Sequence, residues 1–192
     1  MEIKYRKDLI NYFVKIFDYN SYLEIGVRDK SVTFDKIDVD SKEGVDIYPP
    51  ADYVMESDVF FEKHAGNKKW DIILVDGSHE RSQVKRDILN SLNHLNDNGT
   101  IITHDVNPYS IDKLNPTICH NAWEAFAELR CEREDLEMHT IPVNYLGFIR
   151  KGKQKTWHHL EERTFEYLDN NRKELMNEIT VDELKEKFCK TA

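Results

Sequence analysis

Residues 71–79 read DIILVDGSH, a nearly continuous apolar run that ends in an acidic residue, a glycine, a serine and a histidine. Such a run is expected of a central strand that is buried on both faces. A helical pattern follows it, because Val84, Ile88 and Leu92 recur every three or four positions. A strand followed by a helix is the repeating unit of a parallel sheet. The segment therefore predicts an α/β fold whose ligands bind beyond the carboxyl ends of the strands.

Short apolar segments on both sides of this run continue the alternation of strands and helices. The further strand candidates are residues 22–25, 44–47, 53–55, 100–103, 137–141 and 145–149, the last two forming an antiparallel closing pair. Helical spacing is found in residues 9–17, 84–95 and 122–129. Asn98 and Gly99 predict a left-handed stop after the second of these helices. The pattern indicates a mostly parallel sheet with helices on both faces.

The C-terminal segment, residues 151–192, differs from the rest of the chain. It is charged and helix-prone, and it carries no strand pattern. Residues 180–183 read TVDE, which resembles a capping box at the start of a last short helix. We therefore divide the chain into a domain at residues 1–150 and a helical appendage at residues 151–192. The appendage either contacts a second copy of the chain in a homo-oligomer or packs on its own domain.

The composition of the 192 residues excludes several classes of protein. Hydrophobic residues make up 40% of the chain, which suffices for a packed core. The formal net charge of −9 argues against a broad nucleic-acid-binding surface. No apolar run approaches the roughly 20 residues of a membrane span, and the polar start lacks the apolar stretch of a signal peptide. Three cysteines without a close pair favour a reducing cytoplasm over a disulfide framework.

Polar groups follow the first three strand candidates in a consistent order. Gly26 comes after the first strand, and a glycine there lets the backbone approach a ligand closely. Asp46, twenty residues later, ends the second strand and is placed to accept hydrogen bonds from both hydroxyls of a ribose. Ser57 and Asp58 follow the third strand, where an acid can meet an adenine amino group. The order of these groups indicates a nucleoside-containing ligand.

Five segments together resemble the class I methyltransferases that use S-adenosylmethionine (SAM). They are residues 22–28 (YLEIGVR), 44–46 (GVD), 57–58 (SD), 71–79 and 104–105 (HD). Over residues 20–150 the chain is similar, more narrowly, to the metal-dependent sugar and natural-product O-methyltransferases. This resemblance implies a Rossmann-like sheet of seven strands, with the last strand antiparallel. The first motif keeps only Gly26 of the family's Gly-x-Gly-x-Gly form, since positions 28 and 30 are Arg and Lys.

The resemblance also implies which residues bind the cofactor. They are Glu24, Gly26, Asp46, Ser57, Asp58 and Asp76. In this arrangement Glu24 and Gly26 line the methionine portion of SAM, and the acid after the second strand holds the ribose. We expect residues 1–150 to bind SAM without the appendage.

Acidic and histidine side chains at the ends of two central strands predict the catalytic crevice. Asp76 and Asp105 should point into the same space, where two carboxylates repel unless a cation neutralises them. Mg²⁺ or another divalent metal could be held by Asp76, His104 and Asp105, and would lower the pKa of a substrate hydroxyl. A histidine ligand such as His104 suits Mn²⁺, Zn²⁺ or Fe²⁺ better than Mg²⁺. Asp76, Asp105 and His79 are thus the predicted catalytic residues, with His79 as general base.

We therefore predict a SAM-dependent methyltransferase that modifies a hydroxyl of a small molecule or glycan and has no membrane or nucleic-acid partner. An alternative is a catalytically inactive SAM-binding or scaffold protein with the same fold. The missing glycines favour this alternative, and the presence of Asp76, His79 and Asp105 opposes it. A nicotinamide-dependent dehydrogenase is a third hypothesis, but it requires a fuller glycine fingerprint.

Overall fold

The structure is a computed structural model that describes residues 1–189, and within them seven strands form one sheet. In chain order the strands are β1 (Ser21–Ile25), β2 (Ser41–Asp46), β3 (Tyr53–Val54), β4 (Trp70–Val75), β5 (Leu95–Thr103), β6 (Leu136–Thr140) and β7 (Gly147–Lys151). Their order across the sheet is β3-β2-β1-β4-β5-β7-β6. The first five strands pair in parallel, and β7 runs antiparallel to β5 and β6. The predicted α/β fold with its antiparallel closing pair is confirmed.

Helices cover both faces of the sheet. They are α1 (Arg6–Phe17), α2 (Ser57–Lys63), α3 (Arg81–Asn93), α4 (Ala122–Glu132), α5 (Phe165–Leu175) and α6 (Val181–Cys189). Successive side chains of β4 alternate between the faces. Ile73 joins a hydrophobic cluster that includes Ile88 of α3, whereas Ile72 joins one that includes Phe13 of α1. The apolar run of β4 is therefore buried on both sides, as predicted. No helix within residues 1–189 has both the length and the apolar character needed to cross a membrane.

The sheet reverses its strand order between β1 and β4, and the chain turns sharply after each of these strands. Gly26 follows β1 with a φ of 92°, a conformation that favours glycine. A β carbon at this position would lie 2.3 Å from the carbonyl oxygen of Asp76, which follows β4. The two turns thus touch through their backbones, and the crevice at the switch point opens beside them.

The predicted helix stop at Asn98 and Gly99 is wrong. Helix α3 ends at Asn93, and both residues lie within β5. Leu95 continues the helical spacing of the sequence but pairs with Trp70 of β4. A β carbon at Gly99 would lie 2.7 Å from the carbonyl oxygen of Asp71, so the glycine allows close strand packing. Helix α2 was not predicted at all.

The C-terminal helices pack on the sheet. The predicted capping box at the start of α6 is confirmed, since the Glu183 amide donates to Thr180 Oγ1 at 3.1 Å and the Thr180 amide donates to Glu183 Oε2 at 2.7 Å. Leu184 and Phe188 of α6 share a hydrophobic cluster with Phe13 of α1. The buried faces of these helices are therefore occupied within the chain, and their removal would expose the core. This packing opposes our expectation that residues 1–150 bind SAM alone.

Replacement of Leu184 by alanine tests how far α6 supports the domain. Leu184 is fully buried, so Leu184→Ala should lower the free energy of unfolding by about 2–5 kcal/mol. Urea denaturation monitored by circular dichroism measures this change. The matched control is Glu186→Ala, because Glu186 is exposed on the same helix and its replacement should change stability by less than about 0.5 kcal/mol. Equal stability of both variants would show that α6 is a peripheral attachment.

Candidate functional site

A cleft runs along the carboxyl edge of the sheet and consists of two joined cavities. The first, of about 320 Å³, is lined by residues that include Gly26, Asp46, Met55, Glu56, Ser57, Gln83 and Asp87. The second, of about 630 Å³, is lined by residues that include Arg6, Arg28, Tyr48, Asp76, His79, His104 and Asp105. Gly26 and Asp46 line both cavities, so the cleft is continuous past the ends of β1 and β2.

Asp46 organises the backbone at the junction of the two cavities. Its Oδ2 atom accepts a hydrogen bond from the Arg28 amide at 2.7 Å, and its Oδ1 atom accepts one from the Tyr48 amide at 2.9 Å. Each carboxylate oxygen has a second lone pair, so the group can still accept hydrogen bonds from a ligand. The carboxylate lies at the end of β2, where the sequence predicts a ribose-binding acid, and it also holds two loops in place.

The predicted adenine-binding pair separates in the structure. Ser57 lines the first cavity, but Asp58 is not among its lining residues, and its Oδ2 atom lies 3.2 Å from Arg86 Nε instead. The cause is that α2 starts at Ser57 and carries Asp58 towards α3. Glu56 and Asp87 line the cavity, and sequence reasoning missed both. The signal for Glu56 was its place directly after β3; Asp87 gave none, since it lies in a polar stretch of α3.

Asp87 is a buried carboxyl group at the wall of the first cavity. It is 1% exposed, and its Oδ1 atom accepts hydrogen bonds from Ser57 Oγ at 2.6 Å and from Gln83 Nε2 at 3.0 Å. Burial raises the pKa of Asp87 to about 6, although both hydrogen bonds act in the opposite direction. A charge is thus kept beside the cavity at a cost in folding free energy.

The structure brings the predicted catalytic residues together in the second cavity. His104 Nδ1 lies 3.0 Å from Asp76 Oδ1 and 3.0 Å from Asp105 Oδ2. His79 Nε2 lies 3.1 Å from the same Asp105 oxygen. The buried thiol of Cys119 donates to the other oxygen, Asp105 Oδ1, at 3.5 Å. All four predicted side chains therefore form one cluster at the ends of β4 and β5.

Arg6 completes this cluster, and sequence reasoning missed it. Its Nε atom lies 3.1 Å from Asp76 Oδ2, and its side chain is 23% exposed. Arg6 is the first residue of α1, a helix that the sequence pattern assigned only to packing. The one available signal was chemical: Asp76 and Asp105 needed positive charge nearby.

The charges of the cluster are balanced internally. Burial opposes the charged form of His104, but the carboxylates of Asp76 and Asp105 outweigh it and raise the pKa of His104 to about 10. Burial would raise the pKa of Asp105, yet His104 and His79 hold it well below its usual range. The hydrogen bond to Asp105 is the main cause of a raised pKa of His79. Arg6 and a protonated His104 thus offset the two carboxylates.

Three side chains of the cluster are spaced as metal ligands. One ligand atom each of Asp76, His79 and Asp105 lies within 4.8 Å of the others. The sequence had assigned His104 rather than His79 to a metal with the two acids. Neither ring nitrogen of His104 nor Arg6 Nε has a hydrogen bond of good angle to a described residue, despite the short distances. These nitrogen atoms therefore remain available for hydrogen bonds to a further ligand.

Glu24, predicted to line the methionine portion of SAM, is buried below the turn. It is 1% exposed and accepts a hydrogen bond from the Tyr22 hydroxyl at 2.6 Å. Burial raises the pKa of Glu24 to about 8, so the group is largely protonated at neutral pH. Among the described residues that line the two cavities, Gly26 is present and Glu24 is not.

Comparison with known proteins agrees with this architecture. Residues 50–106 match the sequence profile of a methyltransferase domain. The SAH-bound methyltransferase PaMTH1 of Podospora anserina (SAH is S-adenosylhomocysteine) aligns with a TM-score of 0.55 and 16% identity, over 80% of this chain and 80% of that chain. The O-methyltransferase TomG of Streptomyces achromogenes, solved with SAM, aligns with a TM-score of 0.54 and 11% identity, over 77% and 79% of the two chains.

A third similar structure is larger than this protein. MycE, a methyltransferase of the mycinamycin biosynthetic pathway solved with Mg, SAH and mycinamycin VI, aligns with a TM-score of 0.50 and 17% identity. The alignment covers 79% of this chain and 50% of MycE. A comparison with curated protein sequences finds no match. The solved structures share the fold, and the profile match is confined to residues 50–106.

Replacement of Asp87 by asparagine should reveal the cost of its buried charge. The folded-state pKa of about 6 exceeds the ordinary value of 3.8, so the folded protein holds this proton more tightly than the unfolded chain. The contribution of Asp87 to stability is therefore present below about pH 4 and is lost as pH rises to about 6. The free energy of unfolding of Asp87→Asn should therefore rise relative to that of the wild type over this pH range, by up to roughly 3 kcal/mol. Urea denaturation at several pH values measures the difference, and a pH-independent difference would contradict the raised pKa.

Proposed function

We propose that this chain, which carries a class I SAM-dependent methyltransferase domain, methylates a hydroxyl oxygen of a small molecule or glycan. The observation that carries the proposal is the cluster of Asp76, His79, His104 and Asp105 in the cleft. It supplies a base and paired charges in the second cavity. The bound mycinamycin VI of MycE and the O-methyltransferase activity named for TomG support a small-molecule acceptor.

The two cavities suit the two halves of SAM. The first cavity would hold the adenosine portion, with the Asp46 carboxylate at the ribose and Glu56 and Asp87 at its polar wall. The second cavity would hold the methionine portion and the acceptor. SAM supplies a methyl group bound to a positively charged sulfur; the acceptor oxygen attacks this carbon, the carbon–sulfur bond breaks, and sulfur keeps the electron pair to give SAH.

His79 and Asp105 would act together on the acceptor proton. A neutral His79 would donate its Nε2–H to Asp105 Oδ2, 3.1 Å away, and accept the hydroxyl proton at Nδ1, which lies 3.4 Å from the Pro116 carbonyl oxygen. The carboxylate of Asp105 would stabilise the imidazolium that forms. Arg6 and His104 place positive charge beside the two carboxylates. Alignment of donor and acceptor in the cleft would supply the remaining rate enhancement.

A divalent metal fits the donor chemistry of the same cluster. Two carboxylates and an imidazole within 4.8 Å suit Mn²⁺, Fe²⁺ or Zn²⁺. Such an ion would lower the pKa of the acceptor hydroxyl as a Lewis acid. Its binding by Asp76, His79 and Asp105 would occupy His79, whereas its binding by His104 would require that imidazole to lose a proton. Metal binding by His104 and a charged His104 are therefore alternatives, and chelator treatment tests whether an exchangeable metal takes part.

The described residues also bear on whether the protein is an inactive scaffold and on the compartment in which it works. The assembled cluster of two acids and two histidines opposes a protein that has lost its chemistry. The unpaired thiols of Cys119 and Cys131 support a reducing compartment such as the cytoplasm. Faces of α5 and α6 that remain exposed are the proposed contact in a homo-oligomer.

Asp46→Ala tests the cofactor site. Loss of the charge-assisted hydrogen bonds to ribose should weaken SAH binding tenfold or more, by about 1.5–3 kcal/mol. Isothermal titration calorimetry with SAH measures this. Asp58→Ala is the matched control, since Asp58 does not line the cavity and its replacement should leave the affinity unchanged. Equal affinities of Asp46→Ala and the wild type would remove Asp46 from the site.

Substitutions in the cluster test the catalytic roles. Asp76→Asn and Asp105→Asn should abolish SAH release in the presence of a hydroxylated acceptor panel, and SAH affinity should remain. His79→Ala should lower turnover by about 10²–10⁴-fold, the usual effect of losing a general base. Full activity in excess EDTA would exclude an exchangeable metal. Unchanged turnover of His79→Ala would reject the base assignment.

A further inference from the structure

Arg28 has a backbone conformation that its side chain does not favour. Its φ is 50°, in the left-handed region where glycine is preferred and other residues are strained. The strain is held by the hydrogen bond from the Arg28 amide to Asp46 Oδ2 at 2.7 Å. Strained backbone positions of this kind cluster at ligand-binding sites.

The guanidinium group of Arg28 lies at the cleft without a partner. Arg28 is exposed and lines the second cavity together with Gly26 and Asp76. No carboxylate of the described residues is within ion-pair distance of its side chain, although the chain as a whole has a net charge of −9. The neighbouring Lys30, in contrast, is paired with Asp52 at 2.6 Å. An arginine in this state is an available anion-binding group.

Arg6, the other arginine of the cavity, is not available in the same way. Its Nε atom lies 3.1 Å from Asp76 Oδ2, so its charge is already used to neutralise a carboxylate. Arg28 is therefore the arginine that can receive a ligand's negative charge at this end of the cleft.

We propose that Arg28 binds the carboxylate of the methionine portion of SAM. Gly26 and Asp46 line both cavities, so a SAM molecule with its ribose at Asp46 extends its amino-acid end past Gly26 into the cavity that Arg28 lines. The carboxylate is the one anionic group of that end, and the planar guanidinium can bind it with two parallel hydrogen bonds. The assignment rests on the proposed SAM site.

Calorimetry with two ligands tests the assignment: SAH and its decarboxylated analogue, which retains the adenosine, the sulfur and the amino group. Wild-type protein should bind SAH tenfold or more tightly than the analogue. Arg28→Met should lose this preference, because its affinity for SAH should fall while its affinity for the analogue stays unchanged. Lys30→Met is the matched control and should retain the preference.

Arg28→Gly separates binding from backbone effects. Glycine adopts a φ of 50° without strain, so this variant should melt at the same or a higher temperature than the wild type and still lose the preference for SAH. Arg28→Met that binds SAH like the wild type, or that loses both ligands equally, would overturn the assignment. Wild-type protein that binds neither ligand would overturn the proposed function as well. Loss of the preference in Arg6→Met but not in Arg28→Met would assign the carboxylate to Arg6.

Discussion

Two carboxylates at the ends of adjacent parallel strands repel each other, and the arrangement of the cleft depends on how that repulsion is met. Asp76 and Asp105 leave β4 and β5 at the same edge of the sheet, in partly desolvated surroundings. His104 lies between them and Arg6 approaches from α1, so positive charge reaches both acids without any bound ligand. Arg6 at the start of α1, the buried His104 and His79 beside Asp105 each place a nitrogen atom against one of these carboxylates.

The cleft also separates two uses of negative charge. Both carboxylate oxygens of Asp46 accept hydrogen bonds from loop amides, and these bonds shape the junction between the cavities. Asp87 remains ionisable in a buried place, where an asparagine would make similar hydrogen bonds without the desolvation cost. Charges that lower stability are common where a protein must recognise a ligand. The two acids therefore mark the cleft as a binding surface by different physical routes.

Much of the fold could be predicted because many of its elements depend on residues that are close in sequence. The apolar run of β4, the spacing of α3 and the capping box at residues 180–183 each depend on neighbours in sequence. The acids and histidines at strand ends were also accessible, because parallel strands bring their carboxyl ends to one edge.

Contacts between distant segments could not be predicted in this way. Arg6 reaches Asp76 across seventy residues, and no periodicity encodes that pairing. Asp58 was misplaced because its direction depends on where α2 begins, and Leu95 because a helical spacing continued into a strand. Each miss occurred where tertiary packing, rather than local preference, decides the direction of a side chain.

The contact between the first and last described helices has a consequence for synthesis. The ring of Phe188 in α6 packs edge-on against the ring of Phe13 in α1, with centroids 5.5 Å apart. During translation α1 emerges from the ribosome first and α6 last of these elements. Until α6 arrives, the ring of Phe13 lacks its contact with Phe188, so the hydrophobic cluster on this face of the sheet is completed only when the chain through Phe188 has left the ribosome.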